Sequence, residues 1–179
     1  MEIKIYGDSE LRKKALAIDK ITPDIKSLVS EMIDAMRKKD GVGLAATQLG
    51  INKRLIVIDY KPDAEKISIP ITHGESYLIP LMPLALVNPE IISSSKETNV
   101  YEEGCLSVPQ IYANVERPRK VLLKSKLLNG EEINLECGGL LATIIQHEID
   151  HLNGILFVDR VKAEDLSKIQ KKLDKLKKH

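Results

Sequence analysis

His147 and His151 stand four residues apart with Glu148 beside the first, in the stretch Gln146-His147-Glu148-Ile149-Asp150-His151. On a helix that spacing projects both imidazoles from one face, one turn apart. Two such histidines can hold a divalent cation, and the glutamate of an H-E-x-x-H arrangement is not a ligand but the base that takes a proton from water on the metal. The competing reading is three polar residues sharing a half-buried helix face by accident, with the histidines hydrogen-bonded there.

A catalytic site of this type needs three protein ligands and an open position. The metzincin protease spacing puts its third histidine where this chain has Phe157, which cannot bind a metal. Glu164 is a conceivable carboxylate ligand, but nothing around it distinguishes it from an ordinary acidic residue at a helix start. The two cysteines are better candidates, because a thiolate binds divalent transition metals strongly and the metal would deprotonate it at neutral pH. Cys137 ends a hairpin strand before His147 and reads first as a small buried hydrophobe. Cys105 lies in Glu102-Glu103-Gly104-Cys105-Leu106-Ser107-Val108-Pro109. Gly104 permits an unusual backbone there and Pro109 restricts the chain next to it, so a loop is expected to present Cys105.

The elements that must position these residues follow from periodicity. Thr22-Pro23-Asp24 reads as a helix start, and Ile25, Leu28, Val29, Met32, Ile33 and Met36 continue it as an amphipathic helix that Asp40-Gly41 ends. Gly41 to Gln48 is small and apolar, which lets backbone approach another element or a ligand closely, and it lacks the Lys-Ser/Thr ending of a phosphate loop. Leu55 to Ile58 is a buried strand by composition. Lys61 to Pro83 reads as an irregular excursion interrupted by Pro62, Pro70, Pro80 and Pro83; His73 lies in it and is not assigned as a ligand. Leu84 to Asn88 and Glu90 to Ser94 are strand pieces around Pro89. Val121 to Leu128, Asn129-Gly130 and Glu131 to Cys137 form a hairpin with an expected type I′ turn. After Gly138-Gly139, Leu140, Leu141, Ile144 and Ile145 give the histidine-bearing helix an apolar face, which makes it central. From Ala163, Leu166, Ile169, Leu173 and Leu176 keep helical spacing among many lysines, most simply a solvated face.

At 179 residues, with 43% hydrophobic and 30% charged residues, the chain reads as one soluble globular domain, residues 1–179, whose part 163–179 is a basic C-terminal helix. A net charge of +1 argues against general nucleic-acid binding. Neither a signal peptide nor a membrane span is apparent, so a cytoplasmic protein with reduced cysteines is expected. The expected fold is α+β: antiparallel sheets around a central metal-binding helix, with the N-terminal amphipathic helix and the C-terminal helix packed outside.

Gly41-Val42-Gly43-Leu44-Ala45-Ala46-Thr47-Gln48, Glu103-Gly104-Cys105-Leu106-Ser107 and Gln146-His147-Glu148-Ile149-Asp150-His151 resemble the three signature motifs of peptide deformylases, in the family's order. The start, Ile5 to Arg12, is also similar, with Ser9 where a proline is common. The resemblance implies a metal held by Cys105, His147 and His151, usually Fe²⁺ with Zn²⁺ or Ni²⁺ as substitutes. It implies removal of the N-formyl group from the initiator methionine of newly synthesised proteins, releasing formate, with Glu148 as base. The Gln48 amide and the Leu106 backbone N–H would be the oxyanion donors, although an amide after such a loop also often only closes a turn. Gly43 and Gly104 would adjoin the peptide backbone, and Val42, Tyr101, Leu140, Thr143, Ile144 and the His147 ring would surround the methionine side chain; any of these could equally be core. Glu103 and Arg117 would pair to hold the cysteine loop. The basic C-terminal helix would dock near the ribosomal exit tunnel, without membrane or specific DNA binding.

Two departures stand out. The chain is longer between the first two motifs, chiefly over Lys61 to Met82, which is expected to cover or reshape the cleft rim. Seven residues after the motif cysteine, where many relatives carry an arginine that contacts the peptide, stands Tyr112. The rival readings are a zinc endopeptidase, disfavoured by Phe157, and a non-catalytic module stabilised by a structural metal, which would need four protein ligands.

Overall fold

Alternation at the strand period explains the centre of the molecule. In the strands Leu55–Ile58 (β2) and Leu84–Ser94 (β3), successive residues go to opposite cores: Ile56, Ile58, Leu84 and Leu86 to one, Leu55, Val57, Ala85 and Val87 to the other. A sheet buried on both faces needs such an unbroken apolar run. The computed structural model describes residues 1–62 and 72–177. Among them, β2 and β3 join Gly43–Ala45 (β1), Lys120–Lys126 (β6) and Glu132–Gly138 (β7) in an antiparallel sheet of order β1-β2-β3-β6-β7.

One face of this sheet carries Pro23–Arg37 (α1), started by Thr22, whose hydroxyl accepts the Ile25 N–H, with Pro23 in the first turn. The residue that turns left-handed to end it is Asp40, φ 54°, not Gly41. Gly41 lets Leu106 approach closely, since a Cβ there would stand 2.7 Å from Leu106 Cδ1. The other face carries Gly139–Leu152 (α3), which buries eleven of its fourteen residues, as a helix apolar on nearly every side must. A second sheet is the hairpin Thr98–Cys105 (β4) and Val108–Pro118 (β5). With Tyr6, Leu11, Phe157 and the helix Ala163–Leu176 (α4), β5 builds a third core. The α+β architecture is therefore as expected, with α3 at its centre and α1 and α4 outside. No described helix is long and apolar enough to cross a membrane.

Four expectations need correction. Cys105 is not on an open loop but is the last residue of β4, paired across a two-residue turn with Val108. The β6–β7 turn is not type I′. The Gly130 N–H donates to the Leu127 C=O at 2.9 Å, the Leu127 N–H donates to the Glu131 C=O at 2.9 Å, and Gly130 alone is left-handed, φ 90°. This is a three-residue loop with a glycine bulge, stabilised by the Glu131 N–H donating to Asn129 Oδ1 at 3.0 Å. The two pieces flanking Pro89 are one strand, β3, with an irregularity between Val87 and Glu90 where Asn88 turns left-handed, φ 51°.

The excursion is not irregular where it is described, and residues 63–71 lie outside the described residues. His73–Leu78 is a helix (α2) with a capping box between Thr72 and Glu75. Leu78 is buried and Tyr77, Ile79 and Met82 pack on the same core, so this part leans on β7, and none of residues 72–83 lines the cleft between α3 and β4.

Candidate metal centre and its cleft

The α3 stripe Leu140, Thr143, Ile144, His147 and His151 recurs at three- and four-residue spacing and so faces one way. Tyr101, Glu103 and Cys105 alternate along β4 and share the opposing face. Where the two meet, Cys105 Sγ, His147 Nε2 and His151 Nε2 converge, all within 4.8 Å of one another, and each histidine nitrogen lies 3.2 Å from a neighbour in the group. His73 is not in this group.

The tautomer of His147 follows from its partner. Its Nδ1 lies 2.8 Å from Glu103 Oε2, and since a carboxylate only accepts, Nδ1 donates and Nε2 is the ring nitrogen left facing the cluster. Glu103 is itself gripped by Arg117, Nε to Oε1 at 2.6 Å and Nη2 to Oε2 at 2.9 Å, the pairing expected from sequence. Arg117 reaches further, donating to Asp150 Oδ2 at 2.7 Å, and Arg160 clasps both Asp150 oxygens. Burial opposes ionisation of Glu103, but the hydrogen bonds from Arg117 and His147 outweigh it and hold the carboxyl at about 2.

Burial likewise works against charge on His147, yet Cys105 and Glu103 raise it to about 10, whereas burial and the charge of His147 push His151 well below the usual histidine range. One positive charge is thus favoured among these groups, and a divalent cation would take the place of that proton. The thiolate and two imidazoles form a donor set that zinc and iron accept, so the residues present fit a metal.

Glu148 is buried, its Oε2 has no hydrogen-bond partner among the described residues, and burial pushes its carboxyl up to about 7 while His147 pulls the other way. Gly43 explains its closeness to β1, because a Cβ there would strike the Glu148 carboxylate. Gln48 is 2% exposed. Its Oε1 accepts the Ala45 N–H at 2.9 Å, which turns Nε2 toward Ser107 Oγ at 3.1 Å and Cys105 Sγ at 3.4 Å. Gln48 therefore closes a turn and also faces the cluster.

Gln48, Glu103, Cys105, His147 and Glu148 border one cleft of about 960 Å³, and His151 lies behind them. Val42, Gly43, Tyr101, Gly104, Leu106, Leu140, Thr143 and Ile144 line it too. Gly104 is there for close approach, not for unusual backbone. It has no left-handed φ, and the ring of Tyr112, opposite it in the hairpin register, would meet a Cβ at 2.6 Å. Cys137 is buried, and burial pushes its thiol up to about 12, which suits an inert core residue. Phe157 is 1% exposed and stacks on the His147 ring at 6.1 Å, packing the site where a metzincin would ligate. Sequence reading missed Asp150, although it stands in the same six-residue stretch. It also missed the cleft wall formed by Met1, Glu2, Ile3 and Ile5, for which no local pattern exists.

Comparison with known proteins agrees with this geometry. Residues 1–167 match the model of the family described as polypeptide deformylase. The chain is 45% identical over 164 residues to peptide deformylase 2 of Gloeobacter violaceus, covering 92% of this chain and 80% of that one. It is 39% identical over 182 residues to the peptide deformylase of Novosphingobium aromaticivorans, covering 99% and 97%. Among solved structures, the Synechococcus elongatus peptide deformylase in complex with actinonin superposes with a TM-score of 0.82 at 39% identity, covering 97% of this chain and 85% of that one. The Plasmodium falciparum peptide deformylase complex with inhibitor gives 0.84 at 31% identity, covering 99% and 100%. The chain belongs to the polypeptide deformylase family.

Proposed function

We propose that, in removing the N-formyl group from the N-terminal methionine of new proteins, Cys105, His147 and His151 hold one metal ion and Glu148 moves the protons. The Gln48 amide and the Leu106 backbone N–H receive the oxyanion. The observation that carries this reading is the convergence of three ligand atoms within 4.8 Å beside a buried carboxylate whose Oε2 has no described partner. When bound, the ion would supply the positive charge that makes water acidic near neutral pH and polarises the formyl oxygen. Ferrous iron is the choice favoured by the family resemblance, with Zn²⁺ or Ni²⁺ as substitutes.

Glu148 takes a proton from the attacking water and returns it to the leaving amine, so that formate and a free amino terminus result. The Ala45 N–H occupies the Gln48 carbonyl oxygen, so the Gln48 N–H that leans on Cys105 is the one placed to donate to developing negative charge. Leu140, Thr143, Ile144, Tyr101, Val42 and the His147 ring take the methionine side chain, a flexible thioether that suits an apolar slot. Gly43 and Gly104 lie on the cleft wall, along which the extended peptide backbone runs.

Such substrates suit a protein of the cytoplasm, where new chains emerge. The lysines exposed along α4 suit docking on the ribosome near the exit tunnel, and loss of co-sedimentation on removing residues 171–179 is the expected result.

The deciding experiment is formate release from a formyl-Met-Ala-Ser peptide by anaerobically purified protein whose bound metal is quantified in the same sample. Release by the iron-loaded protein, abolished in Glu148→Ala with metal retained, is expected. Fully metallated protein that releases no formate would overturn the assignment.

A further inference from the structure

The segment Ile3–Tyr6 belongs to neither sheet, yet it ties two parts of the cleft together. The Lys4 N–H donates to the Gln48 C=O at 2.7 Å, and the Tyr6 N–H donates to the Ser107 C=O at 2.7 Å. Both acceptors sit on short irregular pieces. Gln48 lies in the single 3₁₀ turn Ala46–Leu49, and Ser107 lies in the two-residue turn between Cys105 and Val108. The first has no longer helix behind it, and the second is held from its far side by the β4–β5 ladder. Across the gap, the side chains contribute two links, both from Gln48 Nε2, to Ser107 Oγ at 3.1 Å and to Cys105 Sγ at 3.4 Å.

The segment is itself anchored from behind. Ile3 packs in the core that includes Leu49 and Leu106, while Tyr6 is buried in the third core with the Lys177 ammonium 5.4 Å from its ring. Gly7, φ 108°, lets the backbone turn against α4's end, where a Cβ would stand 3.1 Å from Lys177 Cα.

We infer that Ile3–Tyr6 is a positioning strap, whose two backbone donors set the spacing between the Gln48 amide and the Cys105–Ser107 turn that carries the Leu106 N–H. This rests on the proposed oxyanion role of Gln48 and Leu106. The strap touches no reacting atom; it acts by keeping two donors at one separation. Donors for developing charge work only when already in place, and a displacement near 1 Å can cost about a hundredfold in rate. A strap that merely packed would show itself in stability, and its loss would add independently to the loss of Gln48.

Lys4→Pro removes the first N–H. In metal-loaded protein acting on formyl-Met-Ala-Ser, kcat is expected to fall about ten- to a hundredfold, with KM and bound metal little changed. Lys4→Ala, which keeps the N–H, restores kcat. In a Gln48→Ala background, Lys4→Pro causes little further loss, because both changes remove the same donor geometry. Wild-type kcat in Lys4→Pro, or a loss that multiplies in full with that of Gln48→Ala, would overturn the strap. Should Lys4→Pro not fold, an ester in place of the Ile3–Lys4 amide removes the N–H alone and gives the same two outcomes. Failure of the underlying reading is recognised separately, since metal-loaded wild-type protein would then release no formate at all.

Discussion

Arg117 sits where an apolar side chain would be expected. The inward positions of β5 before it are Ile111, Ala113 and Val115, and Arg117 continues that stripe at 2% exposure. Its charge is tolerable because Glu103 and Asp150 accept three hydrogen bonds from its guanidinium, two of them on the one carboxylate of Glu103. Truncation would leave buried Glu103 with His147 alone and buried Asp150 with Arg160 alone. Arg117→Ala should cost about 3–5 kcal/mol in unfolding free energy. Because Glu103 orients His147, it should also weaken metal binding about 10–100-fold. Thermal denaturation and metal competition measure the two losses, and an unchanged site would refute the link. Glu148→Ala should differ in kind, lowering formate release by about 10²–10⁴ while metal content stays whole, since Glu148 contributes a proton path and no ligand atom. At this scale the histidine pair was legible because four-residue spacing is a local signal. The clasp of Asp150 by Arg117 was not, because the partners are 33 residues apart and only the meeting of β5 with α3 joins them.

Among the elements, the strands that read clearly were those with apolar runs, β2 and the start of β3, and the alternating pair β6 and β7. The strand β4 escaped notice because its inward face carries chemistry instead of hydrophobes, Tyr101, Glu103 and Cys105, and β5, although Ile111, Ala113 and Val115 alternate along it, was passed over with its partner. Composition cannot announce a strand whose buried side is polar. The β6–β7 turn failed for a subtler reason, since Asn-Gly also serves a three-residue loop in which only the glycine is left-handed. Two glycines separate element geometry from site geometry. Gly130→Ala faces open space at φ 90°, so it should cost about 1–2 kcal/mol of stability and leave kcat alone. Gly43 has no left-handed φ, and its Cβ would collide with the Glu148 carboxylate. Gly43→Ala should therefore lower kcat by about tenfold or more with the sheet intact by circular dichroism. Equal kinetics in the two variants would show that β1 does not set the position of the base.

The whole molecule is two cores on either side of one sheet and a third beneath the hairpin, and the metal-ligating group lies where α3 meets β4. Cys105 comes from the hairpin and both histidines from the central helix, so a bound ion would join elements that otherwise meet through side-chain packing, the His147–Glu103 hydrogen bond and the Arg117 clasp. Anything that binds the folded chain and not the unfolded one stabilises it by mass action, about 2.7 kcal/mol when free ligand exceeds Kd a hundredfold. For a chain of this length that corresponds to a rise in Tm of about 5–10 °C. Chelation should lower Tm by that amount and readdition of Fe²⁺ or Zn²⁺ should restore it. Glu148→Ala should keep the whole shift despite its inactivity, whereas Cys105→Ala should lose most of it, because only the cysteine donates an electron pair from the hairpin. A metal-dependent Tm that survives Cys105→Ala would mean that α3 alone holds the ion, and the hairpin's place in the site would then have to be explained by Gln48 and Leu106.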